Sequence, residues 1–288
     1  MTPATSAPLA FATAIVQRWT RSALVCLSLL TTIALPATAA TETKTATLGD
    51  VKAVLSYQKV ETEGWAQYPD KRMTIQRSGQ TILDAALPND SEYDRPLVDT
   101  EYGYFRVVDL EGDREPEVLL DLFTGGAHCC TYSLIYRYDS KTQRYTSERF
   151  DWAHSGYRLE DLDRDGIPEF RSLNNRFAYA FASFAGSAMP LQIWQYRQGQ
   201  RVDVTRRYPK LLYQQAYTFW NSYTEAKQKT YEEVKGLLAP YLADKCLLGQ
   251  GQDGWQRVRQ TYQERDRDSF FTNLRQFLKE GGYQCGKE

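Results

Sequence analysis

The chain has 288 residues, with 35 Lys+Arg against 36 Asp+Glu and a formal charge of −1. A balance this close to neutral excludes the basic footprint of a nucleic-acid-binding protein, and the length allows one large or two small domains with a proper core. The chain has two histidines, His128 and His154, so a His-based catalytic set has little to draw on.

The first 40 residues read as a signal peptide. Arg18 and Arg21 form a positive n-region, and Ala23 to Leu35 is an apolar run too short to span a bilayer comfortably. Ala37-Thr38-Ala39 then supplies small residues at a cleavage position, so the cut is expected near Ala39 or Ala40, with an uncleaved anchor as the alternative. Leu24-Val25 ahead of Cys26 argues against a lipid-modified cysteine. Cleavage removes two arginines and no acid, which takes the charge to about −3. No later segment resembles a membrane span, so a periplasmic or secreted protein is expected. Four cysteines remain, and export favours disulfides. Cys246 and Cys285 flank a helical pattern and are expected to pair. The adjacent Cys129 and Cys130 form either a vicinal ring or a pair of buried thiols.

From Val51 the pattern is that of strands. Val51, Ala53, Leu55 and Tyr57 alternate with polar residues and so share one face. Met73 to Gln76 and Thr81 to Ala86 flank Arg77-Ser78-Gly79-Gln80, a hairpin signal. Leu87 to Pro96 is polar, carries two prolines and reads as a loop. Two units of similar grammar follow. The first runs from Tyr104 to Val108, through an acidic loop, to strands at Val118 to Phe123, Tyr132 to Tyr138 and Tyr145 to Phe150. The second runs from Tyr157 to Leu159, through a matching acidic loop, to Phe170, Leu191 to Tyr196 and Arg201 to Val204. Four strands per unit is the size of a propeller blade.

Beyond Thr205 the period becomes 3.6. Pro209 suits a first helical turn, and Leu212, Ala216, Phe219, Trp220 and Tyr223 form a stripe. Thr230 and Glu233 form a capping-box pair for a second helix, which Pro240 should kink. Further helices are expected from Asp253 and from Asp268, the last one stopped by Gly281-Gly282. The fold class is therefore α+β: a β-rich part of small antiparallel sheets over 41–207, then about four helices over 208–288.

The two acidic loops are the motif with chemistry in it. In Asp161-Leu162-Asp163-Arg164-Asp165-Gly166-Ile167-Pro168-Glu169, carboxylates stand at positions 1, 3, 5 and 9. Calcium wants six to eight oxygens from a flexible loop, and these positions supply them, with Ile167 offering its carbonyl. Asp109, Glu111, Asp113 and Glu117 repeat the pattern fifty-two residues earlier. An EF-hand is excluded, because its bidentate acid at position 12 is here Ser172 or Leu120. The pattern resembles the calcium loops of FG-GAP/VCBS repeats, the blades of the integrin-α-type propeller, over about residues 100–207. The resemblance implies bound Ca2+ and blade-like sheets. Two units fall short of a closed ring, so a stack of small sheets is expected.

Thr124 to Cys130 places a thiol beside His128, but adjacent cysteines do not easily give one zinc a tetrahedral site, and a small buried turn is expected instead. His154 reads as a packing residue. The loop 174–189, rich in Phe and Tyr, reads as strand and core rather than an exposed ligand patch. Two functions follow. One is an exported, calcium-stabilised binding or structural protein whose partners are protein or cell-envelope glycan. The other is a hydrolase of an envelope polymer with acids such as Asp109, Glu117 or Glu169 as an acid/base pair.

Overall fold

The computed structural model describes residues 40–62, 65–89, 94–98, 100, 103–126, 129–229 and 233–286. The leader read over residues 1–40 lies outside them but for Ala40, which opens the first strand.

Three antiparallel sheets and four helices make up the described residues, as an α+β chain should. The first sheet holds β1 (Ala40–Leu48), β2 (Val51–Thr62), β4 (Arg72–Arg77) and β5 (Gln80–Ala86) in that order, with β3 (Trp65–Gln67) paired to the far end of β2. Ser78 and Gly79 both take positive φ, 48° and 82°, between β4 and β5. That is the two-residue turn whose twist matches a hairpin.

The second sheet runs β10 (Arg144–Ala153), β9 (Cys129–Asp139), β8 (Glu117–Gly126), and then both β6 (Arg95–Pro96) and β7 (Phe105–Val108) share the outer edge of β8. The third is a meander of β11 (Arg158–Glu160), β12 (Glu169–Leu173), β13 (Leu191–Arg197) and β14 (Gln200–Asp203).

The sheets stack, and β8 shows why. Its residues alternate between faces. Val118, Leu120 and Leu122 join Val51, Ala53, Leu55, Met73 and Ile75 of the first sheet in one core. Leu119, on the opposite face, joins Phe150, Trp152, Phe170 and Tyr196 in a second core against the third sheet. A strand covered on both sides needs a continuous apolar run, which EVLLDLF supplies. The other face of the third sheet, through Leu191 and Ile193, packs on Val204, Tyr208 and Leu212 at the start of the helices. No sheet among the described residues closes into a barrel.

The helices are α1 (Pro209–Gln228), α2 (Lys235–Leu247), α3 (Gly251–Thr261) and α4 (Arg267–Glu280). Of the capping-box pair expected at Thr230 and Glu233, only Glu233 is among the described residues. Helix α2 begins at Lys235 without a side-chain cap, and Glu233 turns its carboxylate to the Ser183 N–H and hydroxyl. Pro240 stays inside a continuous α2. Its missing N–H frees the Gly236 carbonyl, and Ala188 donates its N–H there at 3.1 Å. The loop 174–189 is core only in part, since Tyr179 is exposed, and it is not strand. A 3-10 turn at Asn175–Phe177 leads into bends, with Phe177 buried and Phe181 packed on the helices.

That loop crosses α2 so closely that only glycine fits. A Cβ on Gly236 would lie 2.2 Å from the Gly186 carbonyl oxygen. Gly→Ala inside a helix normally stabilises by about 1 kcal/mol. Here Gly236→Ala is expected to do the opposite and destabilise by about 1–3 kcal/mol through overpacking, which thermal melting followed by circular dichroism would detect.

Candidate metal centre

Both acidic loops join neighbouring antiparallel strands at the same register. Val108 pairs with Glu117 and Glu160 with Glu169, so each loop leaves and rejoins its sheet at positions fifty-two residues apart. Within the loops the backbone follows one path. Positions 4 and 6 take positive φ in both: Gly112 (76°) and Arg114 (69°) in the first, Arg164 (63°) and Gly166 (88°) in the second. The glycine has changed places with an arginine while the turn has stayed. A non-glycine residue there costs of order 1–3 kcal/mol unless the surroundings hold it, and the carboxylates do so.

The position-1 carboxylate accepts backbone N–H groups from across the turn. Asp109 takes Gly112 and Arg114 (2.7 and 2.9 Å), and Asp161 takes Asp165 and Gly166 (3.1 and 3.0 Å). The position-5 carboxylate accepts the N–H two residues on, Asp113 from Glu115 and Asp165 from Ile167, both at 2.9 Å. The position-9 glutamate reaches back to the N–H of position 2, Glu117 to Leu110 and Glu169 to Leu162, again both at 2.9 Å. The loop tips touch: a Cβ on Gly112 would meet the Ile167 side chain at 2.7 Å.

The loops differ in what their remaining oxygens face. In the second, oxygens of Asp161, Asp163 and Glu169 lie within 4.8 Å of one another, and this is the acidic group that converges among the described residues. Asp165 stands outside it. Glu169 is fully buried, and its second oxygen accepts the Gln195 amide at 2.5 Å. Gln195 accepts in turn from Arg207 at 3.1 Å, and Arg207 donates to Asp163 at 2.9 Å, which closes a ring around the loop. Tyr208 adds its hydroxyl to Asp163 at 3.3 Å.

In the first loop, Glu111 pairs with Arg137 at 3.4 Å instead of turning inward. Burial above all, and then the charges of Glu111, Asp113 and Asp109, push the Glu117 carboxyl up to about 8 against the single opposing N–H of Leu110. A proton therefore does in the first loop what the Arg207 guanidinium does in the second: it offsets carboxylates crowded together.

Sequence reading missed Gln195, Arg207 and Tyr208. They lie 26 to 45 residues from their partners, so no local spacing signals them. It also missed Asp121 on β8, which is fully buried at the interface of the second and third sheets. Asp121 accepts the Tyr104 N–H and the Ser133 and Tyr157 hydroxyls, while Trp152 donates its indole N–H to Ser133.

Each glutamate at position 9 bonds back across its own loop rather than facing a second acid across a groove, which is not the layout of a glycosidase pair. His154 packs its ring 5.1 Å from Phe184, as a packing histidine should. Cys130 is disulfide-bonded, and its N–H meets Thr124. His128 and the Cys129 side chain lie outside the described residues.

Residues 212–282, from α1 to just past α4, match the family described as the sll0997 C-terminal domain. A Synechocystis sp. protein described as "Probable thylakoid lumen protein sll0997" is 29% identical over 239 residues, covering 80% of this chain and 66% of its own length. "Uncharacterized protein y4bJ" of Sinorhizobium fredii is 29% identical over 202 residues, covering 69% of this chain and 31% of its own. The chain thus spans just under two thirds and just under one third of these relatives. No solved structure matches. These findings correct the resemblance drawn from the acidic loops. The matching family is not FG-GAP/VCBS, and its match falls on the helices rather than on residues 100–207.

Proposed function

We propose that the protein is an exported, calcium-stabilised binding protein of the cell envelope. In this reading Asp161, Asp163 and Glu169 hold Ca2+ at the corner of the third sheet, and the sheets present a surface to protein or glycan. The observation behind the metal is the convergence of those three carboxylates within 4.8 Å on a loop whose backbone is already fixed. The Ile167 carbonyl, Asp165 and water would complete the six to eight oxygens that calcium takes. Asp109, Glu111, Asp113 and Glu117 form the second candidate, one that must lose a proton from Glu117 before a cation enters.

Export is supported by the lumen description of the Synechocystis relative and by the Cys246–Cys285 disulfide. Among the described residues no helix is long and apolar enough to cross a membrane.

Calcium should raise the melting temperature. At a hundred times its Kd the ion adds about 2.7 kcal/mol. Asp163→Ala should abolish that shift, whatever it does to the ion-free protein, because it also frees Arg207 and Tyr208. Melting in EDTA and in millimolar calcium checks this, and equal shifts in both proteins would defeat it.

A further inference from the structure

Arg201 on β14 is a half-buried cation with too few partners. Its guanidinium lies 4.9, 5.2 and 5.1 Å from the rings of Phe150, Trp152 and Trp194. Among the described residues it makes one hydrogen bond, from Nη1 to the Asp151 carbonyl at 3.1 Å, so Nε and Nη2 are left without an acceptor there. Burial pulls its ionisation below the usual arginine value, against the opposing charge of Asp151. That carboxylate is engaged elsewhere, with Arg149 at 2.9 Å. The other arginine at this place, Arg176, is paired with Glu280 at 2.8 Å. The neighbouring charges cancel, and one positive charge is left over.

That charge lines a cleft of about 220 Å3 between the second and third sheets. Gln192 and Trp194, on the same face of β13, also line it, half exposed, and neither side chain makes a hydrogen bond among the described residues. The rim is shaped by a β-bulge between Asp151 and Ala153, where Ala153 takes a φ of 49°. Bulges of this kind re-aim side chains at functional edges.

We propose that this cleft binds a small hydroxylated carboxylate of the sugar-acid class, its carboxylate on Nε and Nη2 of Arg201 and its hydroxyls on Gln192 and the Trp194 indole N–H. The reasoning is one of fit. The Nε and Nη2 hydrogens point in parallel and match the two oxygens of a carboxylate. A single unpaired charge suits a monoanion rather than a dianionic phosphate. Aromatic walls beside convergent polar groups are the usual composition of a small-molecule site. At ~30 Å3 per water, the cleft exchanges about seven waters for a ligand of monosaccharide size.

D-glucuronate titrated into the mature chain, with calcium present, should quench tryptophan fluorescence saturably. D-glucose and inorganic phosphate should bind at least about tenfold more weakly, as the loss of a charge-assisted fork predicts. Arg201→Gln should weaken glucuronate binding by about tenfold or more, and Arg201→Lys, which keeps the charge but not the fork, by several-fold. Should Arg201→Gln fail to fold for want of its ring stack, Gln192→Ala takes its place and should weaken binding several-fold. No saturation by glucuronate, glucose binding as tightly, or an unchanged affinity in the variants would each overturn the proposal. Glucuronate affinity measured in EDTA should match that measured in calcium, so this site and the calcium reading fail or stand separately.

Discussion

Removing the Cys246–Cys285 disulfide is expected to lower stability by about 4 kcal/mol. The bond closes a loop of 39 residues, and in the chain-entropy account a loop of that size restricts the unfolded chain by about that much. For the roughly 250 residues from Ala40 onward, 4 kcal/mol is a fall in Tm of about 8–16 °C. The loss should fall first on the helices. The loop contains all of α3 and α4, and Cys246 is fully buried beside Leu242, Trp255 and Leu274 in the helical core. The C-terminal segment also packs directly on α3: a Cβ on Gly251 would lie 2.2 Å from the Cys285 carbonyl oxygen. Without the disulfide, that contact and the packing of Tyr283 on Asn174 and Phe177 have to hold this segment. The measurement is thermal melting of the Cys246→Ala/Cys285→Ala double variant. The Cys285→Ala single variant controls for the small cavity that truncating Cys246 leaves, since Cys246 stays intact there. A fall of less than about 3 °C would mean that helix packing, not the covalent closure, fixes the C-terminus.

The pairing of those cysteines was legible because it needed only a count and a flank. Much of the fold was legible for a similar reason. Alternation at Val51, Ala53, Leu55 and Tyr57, and the stripe Leu212, Ala216, Phe219, Trp220 and Tyr223, record burial along one element, and all of them are buried but Trp220, which is partly so. The stack of sheets also followed from two four-strand units that cannot close a ring. What the sequence hid are contacts made between elements. Glu233 at a capping-box spacing is a local signal, but nothing local announces that its carboxylate holds Ser183 of a loop fifty residues earlier. Phe177 and Phe181 read as strand because aromatic runs usually are, but their burial comes from α2 and α4, which no local pattern announces.

The acidic loops show both sides of this. Their carboxylate spacing predicted tight turns at strand corners, and the turns are there. The structure shows the positive-φ positions to be two in number, with glycine at one of them in each loop; Asp109 accepts the N–H of the non-glycine Arg114, and Asp161 accepts those of Asp165 and Gly166, next to Arg164. The ring through Gln195 and Arg207 is a tertiary fact and left no trace in the motif. The family resemblance built on the motif failed for the same reason. A nine-residue loop specifies a turn and a chemistry, while a family is specified by the whole chain around it.

The protein should be most stable at mildly acid pH, and Asp121 is the reason. Burial pushes its carboxyl up to about 7, even though Ser133, Tyr157 and the Tyr104 N–H all donate to it. The folded state therefore keeps a proton that the unfolded chain gives up near the ordinary aspartate value. Where the folded state binds more protons, stability falls as pH rises. The contribution is complete below about pH 4, is lost progressively up to about 7, and stays lost above it. Raising a carboxyl from about 4 in the unfolded chain to about 7 in the folded one makes that loss on the order of 4 kcal/mol. Glu117, raised by burial to about 8, and Asp244 act in the same direction: Asp244 is fully buried in α2, burial alone raises its carboxyl, and among the described residues neither of its oxygens meets a hydrogen-bond donor. Exposed acids whose ionisation is lowered by a partner, such as Asp84 beside Arg72, pull the other way, but solvent screening leaves little of that effect. Asp121→Asn keeps the size and an acceptor oxygen for Ser133 or Tyr157 while removing the titration. It should be less stable than the parent at pH 4.5, where the neutral acid makes its full set of bonds, and should close that gap or reverse it by pH 8. Urea unfolding of the two proteins at pH 4.5, 6 and 8 tests the crossing. Parallel curves across that range would mean that water reaches Asp121 and that the second and third sheets do not seal it.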